Sequence, residues 1–427
     1  MKSLIKIIAG KIIDLLQDSR KDFRIIPFGI VLVYIFILFF SEFHLGSYAV
    51  IGSYFRIHPI PYFVDLKILL CGIDAIREGA DPYTVICYQG SPFFNYPYIW
   101  GFLSFFPFIT TSNLIYIGLG LALILFSVLY FYIGKINFFG AIVYTFLFVS
   151  PAIMLGVERG NCDLIIFILL LIPIFNKNNI VLFSFIVLIT SFLKLFPIGS
   201  IFCILNNVNN RVKKSLWSFV SVILIFLMYL ILMKENIIMV SQKTPRPYGG
   251  VSFGIGEIPS MFINYFKNYP SLKVFIFIIF IVLFLFTFII FYHIVQKKIK
   301  TPLVDSGSKG ISYLIGSGIF ITTYLIGYNW EYRLIFLLFT IPQILCWIGE
   351  NKFIAKNLLI LSILIVWQSY TVSLLSIGIR GIYAYLFSQL FVILLFYGHL
   401  YILFNFLNSY YKMFSSKNVA LKSVFSN

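Results

Sequence analysis

Apolar and polar positions fall along this chain in long blocks. Runs of about 13 to 25 almost purely apolar residues recur from Ile25 to Phe406, most of them separated by short polar or glycine-bearing segments and two pairs by longer loops. A helix that crosses a bilayer needs about 20 such residues. The blocks predict spans at roughly 25–40, 113–133, 138–156, 163–175, 180–193, 195–205, 215–233, 274–295, 311–328, 334–349, 358–376 and 383–407. Twelve is the central count and ten to thirteen the range. The stretch 180–205 reads as one helix or as a hairpin broken near Pro197, and 97–109 as a span or a re-entrant piece. The expected fold class is therefore all-α, a polytopic transmembrane helical bundle.

Two segments show helical amphipathicity instead. In residues 1–24, Leu4, Ile5, Ile8, Ile12, Leu15 and Leu16 share a face, with Lys2, Lys6, Lys11 and Asp14 elsewhere. A cytoplasmic amphipathic tail on an anionic leaflet fits this pattern, as does a short soluble tail. It is not a cleavable signal, because charges are spread through it. In "VDLKILLCGIDAIREGADPYT" (64–84), Ile68, Leu69, Gly72 and Ile76 form the apolar face, while Lys67, Asp74, Arg77 and Glu78 form a solvated one. That predicts a helix lying flat at the interface in the first outer loop, with Asp65 on its apolar side.

Composition strengthens the membrane reading. The chain is 60% hydrophobic and 11% charged, where soluble domains carry about 25% charged residues. Its net charge of +17 is explained by topology. With the N-terminus in the cytoplasm, 20 of the 32 Lys/Arg but only 5 of the 15 Asp/Glu fall inside, as the positive-inside rule requires. No nucleic-acid partner is needed. The domains expected are a cytoplasmic tail (1–24), one transmembrane domain (25–407) with long outer loops at 41–112 and 234–273, and a cytoplasmic C-tail (408–427). Five scattered cysteines, without a CxxC pair or histidines at ligand spacing, predict neither a zinc site nor a disulfide framework.

The threading puts Asp65, Glu158, Arg159, Asp163, Lys194, Arg246, Glu331 and Arg333 on the outer side, several where a helix meets its loop. Ionisable groups at membrane depth cost about 2.5–3.5 kcal/mol each on insertion scales and usually face a cavity. Lys194 is either snorkelling or lining such a cavity. Arg159 and Arg333 either pair with the adjacent acid or reach for an anion, and guanidinium forks match phosphate oxygens. Asp65 reads as a helix N-cap, as a general base, or as both. The second long loop, with "GGVSFGIG" (249–256), lacks the P-loop lysine. It reads as a lid or as a plain connection with a surface helix at 257–268.

An Asp after the first span, then "EGADPY" (78–83), then the aromatic-proline helix start Tyr96-Pro97, resembles the GT-C membrane glycosyltransferases. Of these, the polyprenyl-phosphate-sugar-dependent group that includes the family 87 mannosyltransferases is most similar. "ERGNCDLIIF" (158–167), "LKLFP" (193–197) and "EYRLIFLLFTIP" (331–342) resemble a bacterial branch. The likeness covers about residues 25–205 and 325–345. Where that pattern often has YPP and Gly-Gln-x-Asn, this chain has Tyr96-Pro97-Tyr98 and Arg159-Gly160-Asn161.

The resemblance implies transfer of one mannose-like hexose from a polyprenyl-phosphate sugar to a glycan or glycolipid acceptor on the outer face of a bacterial cytoplasmic membrane. Asp65 would be the base, and Arg159, Lys194 and Arg333 would hold the donor phosphate. Glu158, Asn161, Asp163, Tyr83, Tyr96, Arg246 and Glu331 are further substrate-binding candidates. One base and a good leaving group imply inversion, and neither cofactor nor metal is expected. A polymerase or ligase of lipid-linked glycans is the first alternative. A lipid or solute transporter is the second, although no internal repeat is present.

Overall fold

The computed structural model describes residues 21–45, 62–88, 91–206, 212–247, 251–260, 270–298, 302–372 and 381–425. Almost all of the expected N-terminal amphipathic segment lies outside these residues, as does most of the surface helix expected at 257–268.

The first long helix, α1 (Ile25–Leu45), is followed by α2 (Val64–Arg77) and a small hairpin, β1 (Ile86–Tyr88) with β2 (Ser91–Phe93). A 3-10 helix at Tyr98–Phe105 leads to α3 (Leu114–Ile133), α4 (Phe138–Phe148), α5 (Pro151–Glu158), α6 (Asp163–Phe175) and α7 (Ile180–Leu193). A second 3-10 helix, Phe196–Asn206, precedes α8 (Val212–Leu232), α9 (Lys234–Lys243) and the strand β3 (Ser252–Phe253). Next come α10 (Pro270–Lys298), α11 (Ser308–Ile326), strand β4 (Asn329–Trp330) and a third 3-10 helix, Glu331–Phe339. The chain closes with α12 (Ile341–Gly349), α13 (Phe353–Val366) and the 45-residue α14 (Gly381–Phe425).

The described residues are predominantly helical, with two short two-stranded sheets, and membrane-type, but the count of full-length spans differs from twelve. Among the described residues, five helices are long and apolar enough to cross a bilayer, or up to seven if the bent pairs α4–α5 and Glu331–Phe339 with α12 are each one span. The blocks at Asp163–Phe175, Ile180–Leu193, Phe196–Asn206 and Phe353–Val366 form helices of 11–14 residues, shorter than the roughly 30 Å hydrocarbon layer at 1.5 Å per residue. Pro151 and Pro197 explain two of the breaks, since a proline removes a backbone donor and starts a new helix more readily than it continues one. The expected C-tail boundary at 408 is not a structural one, because α14 runs through it unbroken.

Helix α11 is the buried centre of the bundle, packed along the 3-10 helices Phe196–Asn206 and Glu331–Phe339. Its close approach to the first depends on glycine. A Cβ on Gly318 would lie 1.9 Å from the Gly199 carbonyl oxygen, and one on Gly199 would lie 2.2 Å from that of Gly318. Lipid offers no hydrophobic drive between helices, so backbone proximity of this kind is a main source of cohesion in membranes.

Cys71 of α2 and Cys87 of β1 form a disulfide, with Cα atoms 5.7 Å apart. This overturns the expectation of none. The hairpin folds back over α2, and that return is not visible in the spacing of the cysteines. The polar face of α2 is likewise more than solvated. Asp74 accepts from the Thr111 amide and hydroxyl, and Arg77 donates to the Ser104, Phe106 and Ile109 carbonyls, tying α2 to the segment 104–111.

Candidate functional site

Two helix ends meet to begin the site. The last turn of α5 presents unpaired carbonyls and the first turn of α2 presents unpaired amides. Here they satisfy each other: Phe63 N–H donates to Glu158 O (2.7 Å), and the Asp65 and Leu66 amides donate to Arg159 O (3.0 and 3.3 Å). Phe63 takes the left-handed conformation before α2 (φ 57°), as does Gly160 after α5 (φ 57°). A Cβ on Gly160 would meet Leu66 Cβ at 2.9 Å, so glycine is needed for both conformation and space.

Asp65 is therefore a first-turn residue, and the N-cap reading is corrected. The cap position is Phe63, with no side-chain cap bond. The Asp65 carboxylate turns to the side chains beyond α5. Arg159 forks onto it, Nε to Oδ2 at 2.9 Å and Nη2 to Oδ1 at 2.5 Å, and Asn161 Nδ2 donates to Oδ2 at 2.5 Å. The partner of Arg159 is thus not the neighbouring Glu158.

A second pair stands alongside. Lys194, released from α7 in extended conformation ahead of Pro197, donates to Asp163 Oδ1 at 2.5 Å and to Asn161 Oδ1 at 3.3 Å. Arg333 lies 3.8 Å from Asp163 Oδ2, donates to Asn329 Oδ1 and covers the Phe196 ring at 4.9 Å. Arg333 also does not pair with its neighbouring acid, Glu331. Arg246 stacks over Tyr328 at 5.8 Å.

These side chains enclose a cavity of about 410 Å³, lined by Asp65, Tyr96, Arg159, Asn161, Lys194, Arg246 and Arg333 among others. One wall is apolar, formed by Ile237 and Val240 of α9 with Leu195, Phe196 and Ile326. A further wall is aromatic: Tyr328, Trp330 and Tyr332, with the Trp330 and Tyr332 rings stacked at an interplanar angle of 7°. Four cations and one carboxylate face the space, with Asp163 behind Lys194, so the cavity suits an anionic head group carrying an apolar chain.

Four of the candidate residues lie off this wall. Glu158 and Glu331 are buried in the protein, each with one carboxylate oxygen lacking a hydrogen-bond partner. Asp163 sits 1% exposed beneath Lys194. The Tyr83 hydroxyl donates to Tyr96 O (2.9 Å) and accepts from Asn236 of α9 (2.8 Å), so it braces the wall from outside. Burial pushes the Tyr83 phenol up and the Tyr96 phenol well above its ordinary range. Both act as neutral hydroxyls, Tyr96 donating to Asp65 O at 3.2 Å.

The aromatic wall and α9 were not anticipated. The run Tyr328-Asn329-Trp330-Glu331-Tyr332 was the available signal, since aromatic side chains at a helix start beside a cation commonly face a ligand space. Strand β3 pairs with β4 (Ser252 opposite Trp330), and Gly254 passes so close that a Cβ there would meet Gly327 O at 1.5 Å. The second long loop thus holds the aromatic wall in place. Among the described residues no group of three or more His, Cys, Asp or Glu is placed to hold a metal ion.

No protein-family model, curated protein or solved structure matches the chain.

Proposed function

We propose that this chain is an integral membrane glycosyltransferase of GT-C type. It moves a single mannose-like hexose from a polyprenyl-phosphate sugar to a glycan or glycolipid acceptor at the outer face of a bacterial cytoplasmic membrane. The observation that carries the reading is the meeting of Asp65, Arg159, Lys194, Arg246 and Arg333, from distant parts of the chain, around one cavity with both apolar and cationic walls. The cationic side suits the donor phosphate, the apolar side the first isoprene units, and the aromatic side a sugar ring.

In this mechanism the acceptor hydroxyl attacks the anomeric carbon in a single inverting displacement. Asp65 takes the hydroxyl proton, and Arg159, Lys194 and Arg333 stabilise the charge on the departing phosphate. Helix α2 lies in the interface and carries the base. The disulfide between Cys71 and Cys87 supports an outer location for this loop, since disulfides persist in oxidising compartments.

The test is incubation of the purified protein with a panel of polyprenyl-phosphate sugars, following release of the free lipid phosphate. Consumption of one member, abolished by Asp65→Asn and by Arg159→Ala in correctly inserted protein, is the expected result. Full turnover in Asp65→Asn places the base elsewhere, and consumption of none of the panel removes the reading.

A further inference from the structure

The Asp65 carboxylate is held in a way that opposes its use as a base. Oδ2 accepts from both Arg159 Nε and Asn161 Nδ2, while Oδ1 accepts from Arg159 Nη2 alone. The pair is nearly closed to water, with Asp65 6% exposed and the Arg159 side chain 14%. A hydroxyl approaching this carboxylate finds Oδ1 taken by the guanidinium and Oδ2 by two donors, so neither oxygen is presented to it. The same guanidinium lines the cavity and lies 5.4 Å over the Trp330 ring, which lines it too.

We infer that Arg159 is a latch shared between Asp65 and the phosphate: an anionic head group entering the cavity draws the guanidinium off Asp65 and thereby frees Oδ1 to accept the acceptor proton. This rests on the glycosyl-transfer reading and adds an order to it, donor first and base second. Asn161 keeps its bond to Oδ2 when Arg159 leaves, so the carboxylate stays oriented with Oδ1 open. Asn161 is a positioning residue in this scheme, and it is itself fixed because its Oδ1 accepts from the Asp163 amide at 2.9 Å.

The charge balance of the step follows the latch. The anomeric carbon–phosphate oxygen bond breaks with its electron pair going to phosphate, which passes from one negative charge to two. The acceptor oxygen–anomeric carbon bond forms, and the acceptor proton goes to Asp65, which passes from one negative charge to none. Negative charge thus moves from Asp65 to the phosphate, the side to which the guanidinium has already been drawn. Asp65 and the phosphate compete for one cation.

That competition has a signature in binding, without turnover. Polyprenyl monophosphate lacking a sugar is titrated against the protein in detergent, with polyprenol and inorganic phosphate as separate arms. Wild type is expected to bind the lipid phosphate and not the polyprenol, and Asp65→Asn to bind it about tenfold more tightly or better, the scale of a close charge pair. Asp65→Ser gives the same comparison should the Asn variant fail to fold, and Asp65→Glu, which keeps the charge, should show no gain. Equal or weaker binding by the neutral variants, with wild-type binding intact, overturns the latch and leaves the proposed function standing. Wild type that binds no lipid phosphate overturns both. Inorganic phosphate bound as well as the lipid form, and tightened equally by Asp65→Asn, upholds the latch but assigns the site to free phosphate.

Discussion

Gly160 connects the backbone to the chemistry. It turns the chain after α5 with φ 57° and leaves 2.9 Å between its would-be Cβ and Leu66, which lets the amides of α2 reach the carbonyls of α5. Left-handed backbone costs a residue with a Cβ about 1–2 kcal/mol, and the contact adds to that. Gly160→Ala should lower the thermal midpoint in detergent by several degrees and loosen the Asp65–Arg159 pair with it. Asn161 tests positioning. Asn161→Ala should reduce kcat by about tenfold or more while leaving the donor KM within about twofold, because in the proposed mechanism it orients the base without being the sole holder of the phosphate. An equal loss in both constants would make Asn161 a donor contact instead.

At the scale of elements, the crossing of α11 with Phe196–Asn206 is a tightly constrained contact, backbone against backbone on both sides. Gly318→Ala drives a methyl into the Gly199 carbonyl, and backbone cannot swing aside as a side chain can. Overpacking typically costs about 1–3 kcal/mol. Gly349→Ala, at a helical position where nothing lies within 4 Å, is the control that should not lower the melting temperature, since alanine suits a helix better than glycine.

The loop behind the aromatic wall offers a pH test. Burial raises the Glu257 carboxyl above its ordinary value of 4.5, so the folded state holds this proton more tightly than the unfolded one. The stability it contributes is complete below pH 4.5 and is lost as pH rises through the raised folded value. Glu257→Gln keeps an acceptor for the Tyr385 hydroxyl and stays neutral. It should melt higher than wild type at pH 8 and lose that advantage near pH 4.

Elements with local causes were legible beforehand. The predicted 163–175 and 180–193 are the observed Asp163–Phe175 and Ile180–Leu193, because apolar length and the capping Asn179 are written in neighbouring residues. The convergence of Asp65, Arg159, Lys194 and Arg333 was anticipated from their shared position at helix–loop junctions. Their pairing was not: Asp65 lies 94 residues from Arg159, and a bond across that distance leaves no periodicity to read. The same holds for the Cys71–Cys87 link and the pairing of β3 with β4. Helix length was overread because an apolar block does not reveal where a proline or a bend ends each helix.

For the whole molecule, the question is which end faces which compartment. Opposite the cavity, the Asn206 side chain donates to Asp305 O, Trp347 to Leu303 O and the Tyr410 hydroxyl to Val212 O. These contacts gather the chain segments around 206, 212, 303–308, 347 and 410 at one end of the bundle. Lys213, Lys214, Lys309, Lys352, Lys356 and Lys412 lie in or beside those segments, so a single end collects basic residues, the pattern that the positive-inside rule associates with a cytoplasmic face. At the cavity end, Arg159 is instead set against Asp65, and Lys194 and Arg333 against Asp163. Helix α11, about 28 Å long at 1.5 Å per residue, separates the two ends by roughly the thickness of the hydrocarbon layer.

This orientation is open to direct labelling, because Glu235 on α9 and Lys356 on α13 are both exposed. Glu235→Cys should react with a membrane-impermeant maleimide on intact cells, and Lys356→Cys only after permeabilisation. The reverse pattern would put the cavity in the cytosol, out of reach of the proposed outer-leaflet donor, and would overturn that part of the proposal.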